Sequence, residues 1–300
     1  MLRKKLVLLL LTVSPAIFAQ DTTETEAVEV PAKEYIKKTF ENGVVISNQT
    51  VEVPAKKQLD FMIQHRFGQI IEGKDLFGIY GAANIRLGLD YGITKRLSVG
   101  IGAAKNNQLY DLDWKYVVLR QEKNGGMPFT LAYYGNMTIR GGQNANFINQ
   151  DKEYTSLNRA WFFNEIMLAR KFNDKFSLQL AGSYTHINFV ADSVMKHSFI
   201  GLHAVASYRL NVTSSIQVEY DMNLTPDMVP DVDNNSKKVA YQKPNLSLGY
   251  EASTGQHQFQ VFITTANGID GVNVISNNRN DFTKSGNLLI GFNITRQFDF

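Results

Sequence analysis

Eight charged residues fall on the polar faces of segments whose side chains alternate in character: Asp60, Arg66, Arg86, Asp90, Asp113, Lys115, Glu219 and Asp221. Opposed charges gathered on one face of a sheet could line a constriction that selects solutes. They could equally form a salt-bridge network filling a closed interior, because buried charges have to be paired. Acyl hydrolysis would need a His beside a Ser or Asn with an oxyanion partner. "YTHIN" offers His186 with Asn188, and "KHS" offers His197 with Ser198; neither has the His-x-Ser spacing, so no catalytic residue and no enzyme are expected. The segment "DVDNNS" from Asp231 starts like a calcium loop, but Ser236 stands where Gly is required and Gln242 where the bidentate Glu belongs. The five His residues show no His-x-x-His spacing, and there is no Cys, which excludes thiolate ligands, disulfides and a Cys nucleophile. Neither a metal nor a cofactor is expected.

Residues 1–19 have the layout of a cleaved secretory signal peptide, with a basic "MLRKK", an apolar "LVLLLLTVSPAIF" broken by Pro15, and Ala19 as the last residue removed. Losing Arg3, Lys4 and Lys5 takes the formal charge from +3 to about zero. The basic pI therefore belongs largely to the signal and does not point to nucleic acid. Beyond it there is no run of about eighteen apolar residues, so no membrane-crossing helix is expected. Residues 20–56 read as a separate region, an arm in the periplasm or a plug entering the rest. Its start, "QDTTETEAVEV", is acidic and Thr-rich, and "VEVPAK" occurs twice, at 28–33 and 51–56.

From residue 57 the pattern is strict alternation, the signature of strands. "LDFMIQHRF" sets Leu59, Phe61 and Ile63 against Asp60, Gln64 and Arg66; "NIRLGLDYGI" sets Ile85, Leu87, Leu89 and Tyr91 against Asn84, Arg86 and Asp90. "LSVGIGA" repeats the alternation with glycines on the polar side, where Gly marks a bend or a crowded interior. About twelve such segments fill 57–300, near twenty residues per strand and connection, and short turns alternate with longer polar loops. The stretch from Trp161 to Arg170 is apolar on both faces and has no readable phase. The polar faces are rich in Asn, Gln, Ser, Thr and Gly, and the apolar faces carry aromatics near strand ends, such as Tyr91, Trp114, Tyr116 and Tyr208. Those aromatics suit membrane interfaces. In lipid only a closed barrel pairs every strand N–H. The expected fold is all-β: a transmembrane antiparallel up-and-down barrel of about twelve strands, following the signal peptide.

The last segment, "LLIGFNITRQFDF", alternates to its end with Phe298 and Phe300 on one face. It resembles the C-terminal strand of Gram-negative outer-membrane proteins, which implies that the barrel-assembly machinery reads those two residues. "TFENGVVISNQTVE", "LDFMIQHRFG", "NIRLGLDYGIT" and "IGFNITRQF" resemble a family of bacterial membrane β-barrels catalogued as a domain of unknown function. That resemblance implies the fold and carries no catalytic residues with it. The expected location is the outer membrane, in contact with its lipid and with both termini periplasmic. The expected function is a narrow channel or passive transporter for small solutes; the alternative is a non-transporting barrel that docks a periplasmic partner through residues 20–56.

Overall fold

The computed structural model describes residues 33–70, 76–148, 154–190, 195–230, 237–284 and 286–300. The signal segment, the first "VEVPAK" copy up to residue 32 and the calcium-like 231–236 lie outside the described residues. Residues 34–300 form one compact unit.

The order of strands is β1 (Val44–Val45), β2 (Asn48–Gln49), β3 (Gln58–Gln69), β4 (Asn84–Gly92), β5 (Leu97–Ala104), β6 (Leu109–Leu119), β7 (Thr130–Arg140), β8 (Ala160–Lys171), β9 (Phe176–Ile187), β10 (Ser198–Arg209), β11 (Ser214–Asn223), β12 (Met228–Pro230), β13 (Lys238–Ala240), β14 (Asn245–Thr254), β15 (His257–Thr264) and β16 (Leu289–Asp299); one short helix, α1 (Gly271–Asn277), precedes β16. β3 to β11 and β14 to β16 form a closed barrel of twelve antiparallel strands, each paired with its sequence neighbours. Closure comes from β16 against β3, in register from Asp299 opposite Gln58 to Leu289 opposite Gln69, with one irregularity beside Gly291. Strand lengths of 8–12 residues match what a tilted strand needs to cross a bilayer.

Burial along the strands is inverted relative to a water-soluble fold. Leu87, Leu89, Ile101, Leu112, Ile166, Leu180, Leu248 and Val261 are exposed, while Gln64, Arg66, Thr138, Gln179, Gln217, Glu219 and Gln260 are buried. Apolar side chains therefore face outward and polar ones inward, as a lipid environment demands. Tyr91, Tyr116 and Tyr208 stand on the outer face toward one end, and Tyr110 and Tyr184 toward the other. Short connections gather at the end that holds residue 57 and Asp299, long ones at the opposite end. The alternation of short turns with longer loops read from the sequence breaks once: at the long-loop end β5 runs to Ala104 and β6 restarts at Leu109 around a 3-10 turn, Asn106–Gln108.

A twelve-stranded ring is wider than one whose side chains alone fill it. Here two segments enter it. Residues 34–56 pass in at the short-turn end, where Ile36 N–H donates to the Gln121 carbonyl at 3.0 Å. They turn at the β1–β2 hairpin and return to β3. From the long-loop end the connection 265–288 brings in α1, whose Val272, Val274 and Ile275 are buried. The two segments supply an apolar core inside the barrel: Phe40, Val45, Ile46, Val51, Val272 and Ile275 pack with Tyr134, Trp161, Phe163, Met167, Phe199 and Phe262 of the wall. That explains the unreadable phase of β8. Its Trp161, Phe163, Glu165, Met167 and Ala169 face inward and Ile166 and Leu168 outward, so one apolar face meets lipid and the other meets the inserted segments.

Gly102 of β5 stands beneath the Arg86 guanidinium: a Cβ there would lie 2.6 Å from Arg86 Cζ and 2.6 Å from Asp111 Oδ2. The glycines of "VGIGA" thus clear room in the lumen, and β5 keeps an unbroken register with both neighbours. Gly102→Val should push the guanidinium off its partner and destabilise the barrel by about 1–3 kcal/mol, the usual cost of overpacking. The urea midpoint of the folded protein in lipid vesicles measures it.

Candidate functional site

All eight charges picked out by alternation point into the lumen; seven are buried and Asp90 is half-buried. They separate into two groups. The first clamps the tip of the inner hairpin. Glu219 Oε2 accepts the N–H groups of Ser47 at 2.8 Å and Asn48 at 2.9 Å. Arg66 donates through Nη2 to the Ile46 carbonyl at 2.9 Å and to Ser47 Oγ at 3.2 Å. Acid and base thus grip opposite poles of one turn and attract each other across it. Asp221 accepts from Asn48 Nδ2 and from His203 Nδ1, both at 2.7 Å, and Asn245 Nδ2 donates to Glu219 and Asp221 at 2.9 and 2.8 Å. Lower in the lumen, Lys115 Nζ donates to the carbonyls of Gly43 at 2.9 Å and Glu52 at 3.0 Å. Gln179 and Gln260 each accept an N–H from the segment and donate to one of its carbonyls. Arg209 pairs with Glu41 nearer the short-turn end.

These contacts hold Ile46 at φ 52°, a left-handed backbone that a β-branched residue adopts only when its surroundings enforce it. Its side chain is fully buried and its carbonyl also accepts from Asn293 Nδ2 at 2.8 Å.

The second group lies along the wall. Arg86 makes a forked pair with Asp111, Nη2 to Oδ1 at 2.5 Å and Nε to Oδ2 at 3.1 Å, while Asp113 sits 3.7 Å away. Asp60 and Asp90 face each other across β3 and β4, and Gly100 stands in register between Asp90 and Asp113. The sequence had pointed to Asp113 and passed over Asp111, the closer partner, which occupies the same polar face two residues earlier. Glu165, His203 and Asn245 were also passed over; Glu165 lies in the segment whose phase could not be read.

Above the hairpin tip a polar cavity of about 20 Å³, roughly one water molecule, is lined by Gln64, Arg86, Tyr134, Glu165 and Asp270. Asp270 caps α1, accepting from Asn273 N at 2.9 Å and Asn273 Nδ2 at 2.7 Å. Burial pushes its carboxyl above the ordinary value, against the lowering effect of those two donors. Beyond α1 a cavity of about 970 Å³ occupies the long-loop end.

His186 and Ser198 are neighbours across β9 and β10, with Nδ1 2.8 Å from Oγ, and Tyr184 OH lies 3.0 Å from the same hydroxyl. This pairing differs from both sequence adjacencies, since His197 turns its Nδ1 to the Ile187 carbonyl at 2.7 Å. Among the described residues no group of three His, Cys, Asp or Glu is placed to hold a metal ion. Phe298 is on the outer face of β16, and Phe300 is exposed at its end.

Closed, antiparallel, apolar outside and polar within, the fold is that of a membrane-spanning β-barrel. The chain belongs to the family described as "Membrane bound beta barrel domain (DUF5777)", which it matches over residues 40–298. That range takes in the inner hairpin along with the ring. Solved structures to which the chain is similar include the KdgM porin, at 10% identity and TM-score 0.44 over 81% of this chain and 99% of that one. The NanC porin is similar at 10% identity and TM-score 0.46, over 81% and 100%. The CymD monoaromatic hydrocarbon channel is similar at 9% identity and TM-score 0.38, over 82% and 90%. No curated protein matches the chain.

The two groups of charges should respond differently to substitution. Arg86→Met strands Asp111 and Asp113 in the wall and should cost about 3–5 kcal/mol of barrel stability, the usual penalty for an orphaned buried charge. Glu219→Gln keeps the shape but weakens two charge-assisted bonds to the hairpin, at about 1.5–3 kcal/mol. Urea titration of both variants in the same vesicles checks the order.

Proposed function

We propose that the protein is an outer-membrane channel for small solutes whose lumen residues 34–56 close as a plug. The observation that carries this reading is the character of the contacts: the wall grips the hairpin through hydrogen bonds to its backbone, with Arg66, Lys115, Gln179, Glu219 and Gln260 as the hands. Water or a solute can take over such bonds when the segment leaves, and only Phe40, Val45, Ile46 and Val51 of the segment have to be withdrawn from apolar contact with the wall. The cavity of about 970 Å³ at the far end is in this reading the vestibule, with α1 between it and the hairpin.

In this reading the long loops face the cell exterior, both termini are periplasmic, and residues 1–19 are the export signal. Phe298 and Phe300 present the last strand to the assembly machinery. The charges around Arg86 and Lys115 set ion preference once the plug moves. A free docking arm for a periplasmic partner fits poorly, because Thr39, Val51 and Glu52 already spend backbone groups on Ser177, Gln179 and Lys115 of the lumen wall.

Planar-bilayer recording tests the proposal. The refolded protein should be closed or nearly so, and deletion of 34–56 should give steady conductance from a barrel whose folding is shown by its heat-modifiable migration. A folded barrel that stays silent with both 34–56 and α1, Gly271–Asn277, deleted would rule out the channel.

A further inference from the structure

Two glutamines of the lumen wall meet the inner hairpin in the same way. Gln260 of β15 accepts the Ile46 N–H at 3.3 Å and donates to the Val44 carbonyl at 2.9 Å. Gln179 of β9, against the other arm, accepts the Val51 N–H at 3.1 Å and donates to the Gln49 carbonyl at 2.7 Å. Each carboxamide thus spans the carbonyl of one residue and the N–H of the residue two places on. Those two groups project from one edge of an extended chain, and a neighbouring strand would pair with them through its own backbone. The glutamines stand in for that strand. β1 and β2 pair with each other, Val44 opposite Gln49 and Val45 opposite Asn48, so the wall reads both outer edges of the hairpin.

Gln260 is held for this task from the wall side: Asn293 Nδ2 donates to its Oε1 at 2.7 Å, and its Nε2 donates to Glu251 Oε2 at 2.9 Å. Nearer the short-turn end Ser177 donates to the Thr39 carbonyl at 2.6 Å and Gln258 to the Glu41 carbonyl at 3.0 Å. None of these bonds depends on which side chains the segment carries. A chain of another sequence would forgo the bonds of the Asn42 and Asn48 side chains and keep the rest. What it would have to match is apolar. Ile46 Cδ1 lies in a notch over Gly249 of β14, where a Cβ would come within 3.2 Å of it, and Phe262 closes the same notch. Main-chain bonds that give affinity, with pockets that give selectivity, are how proteins capture extended peptides. A neutral sugar has hydroxyls, which donate and accept at one atom, and no N–H and carbonyl fixed at this spacing.

We propose that this wall is a binding surface for extended peptides with branched apolar side chains, that the hairpin is its resident mimic, and that the solute of the channel is an oligopeptide. Calling the peptide a solute rests on the plug reading above; binding is measured apart from conduction.

Ala55 and Lys56 are exposed at the short-turn end. A site for a sequence-specific protease inserted between them lets the whole chain fold before the hairpin is cut free, and the mass of the complex in nanodiscs reports when the cut segment has left. Labelled probes are then titrated by fluorescence anisotropy: a synthetic peptide of residues 39–52, a peptide of equal length that keeps Val44, Val45, Ile46 and Val51 and replaces the other side chains, and maltotetraose. Both peptides should bind saturably, with affinities within about tenfold of each other, the loss of one or two side-chain hydrogen bonds. Gln179→Met combined with Gln260→Met should weaken both peptides by a similar factor, at least about tenfold. The 39–52 peptide N-methylated at positions 46 and 51 makes the same test on the unaltered wall and should lose as much. Binding of the 39–52 peptide alone would make the wall a socket for its own segment and overturn the proposal. Equal binding of maltotetraose, indifference to N-methylation, or a cut segment that no probe displaces would overturn it as well. Peptide binding with a silent barrel lacking 34–56 and α1 would keep the binding surface and remove the channel; conductance without peptide binding would do the reverse.

Discussion

One carboxylate oxygen of Glu219 takes the N–H groups of two consecutive residues, Ser47 and Asn48, while the Arg66 guanidinium takes the carbonyl of Ile46 just before them. Two buried charges of opposite sign thus meet through a strand of peptide in place of direct contact. The arrangement answers two demands together. A charge taken out of water must find compensating bonds, and a chain segment threaded into a barrel must pair its own backbone groups. Remove the hairpin and both charges lose partners; remove either charge and the turn that holds Ile46 at positive φ loses what enforces it.

The same logic organises the rest of the lumen. Outside, leucines, valines and tyrosines meet lipid, so the hydrophobic effect that drives soluble folding gives these residues no reason to turn inward. Order inside comes from polar bonds and from volume. A ring of twelve strands leaves space its own side chains do not fill, and the space is taken by the hairpin from one end and α1 from the other. Where those segments are apolar, at Val45, Ile46, Val272 and Ile275, the wall answers with Phe163, Met167 and Phe262. Where they present backbone, it answers with Gln, Asn, Arg and Lys.

Strand number, closure and the inward direction of Arg66, Arg86, Lys115 and Glu219 were legible in the sequence, because period-2 alternation is a property of each strand alone. Partner choice was not. Arg86 on β4 reaches past Gly102 on β5 to Asp111 on β6, and that depends on the register of three strands, with a glycine in the middle as the one local sign. β8 had no readable phase because its inner face packs against segments about a hundred positions away on either side, the hairpin before it and α1 after it. The hairpin at 44–49 is too short to show a period, and its contacts lie with Gln179, Glu219 and Gln260, far along the chain. Cavity residues such as Arg140, Asn267 and Arg279 sit at a strand end or in connections, where alternation stops and spacing says nothing about direction.

The claim on which the account stands is that the hairpin is bound inside the barrel by its backbone. Hydrogen exchange read by mass spectrometry on the folded protein in nanodiscs addresses it directly, through the peptide covering residues 43–52. Amides of Ser47, Asn48 and Val51, bonded to Glu219 and Gln179, should exchange as slowly as those of β11 and β15. Exchange of that peptide at the rate of an unstructured chain, with the barrel strands protected, would contradict the account.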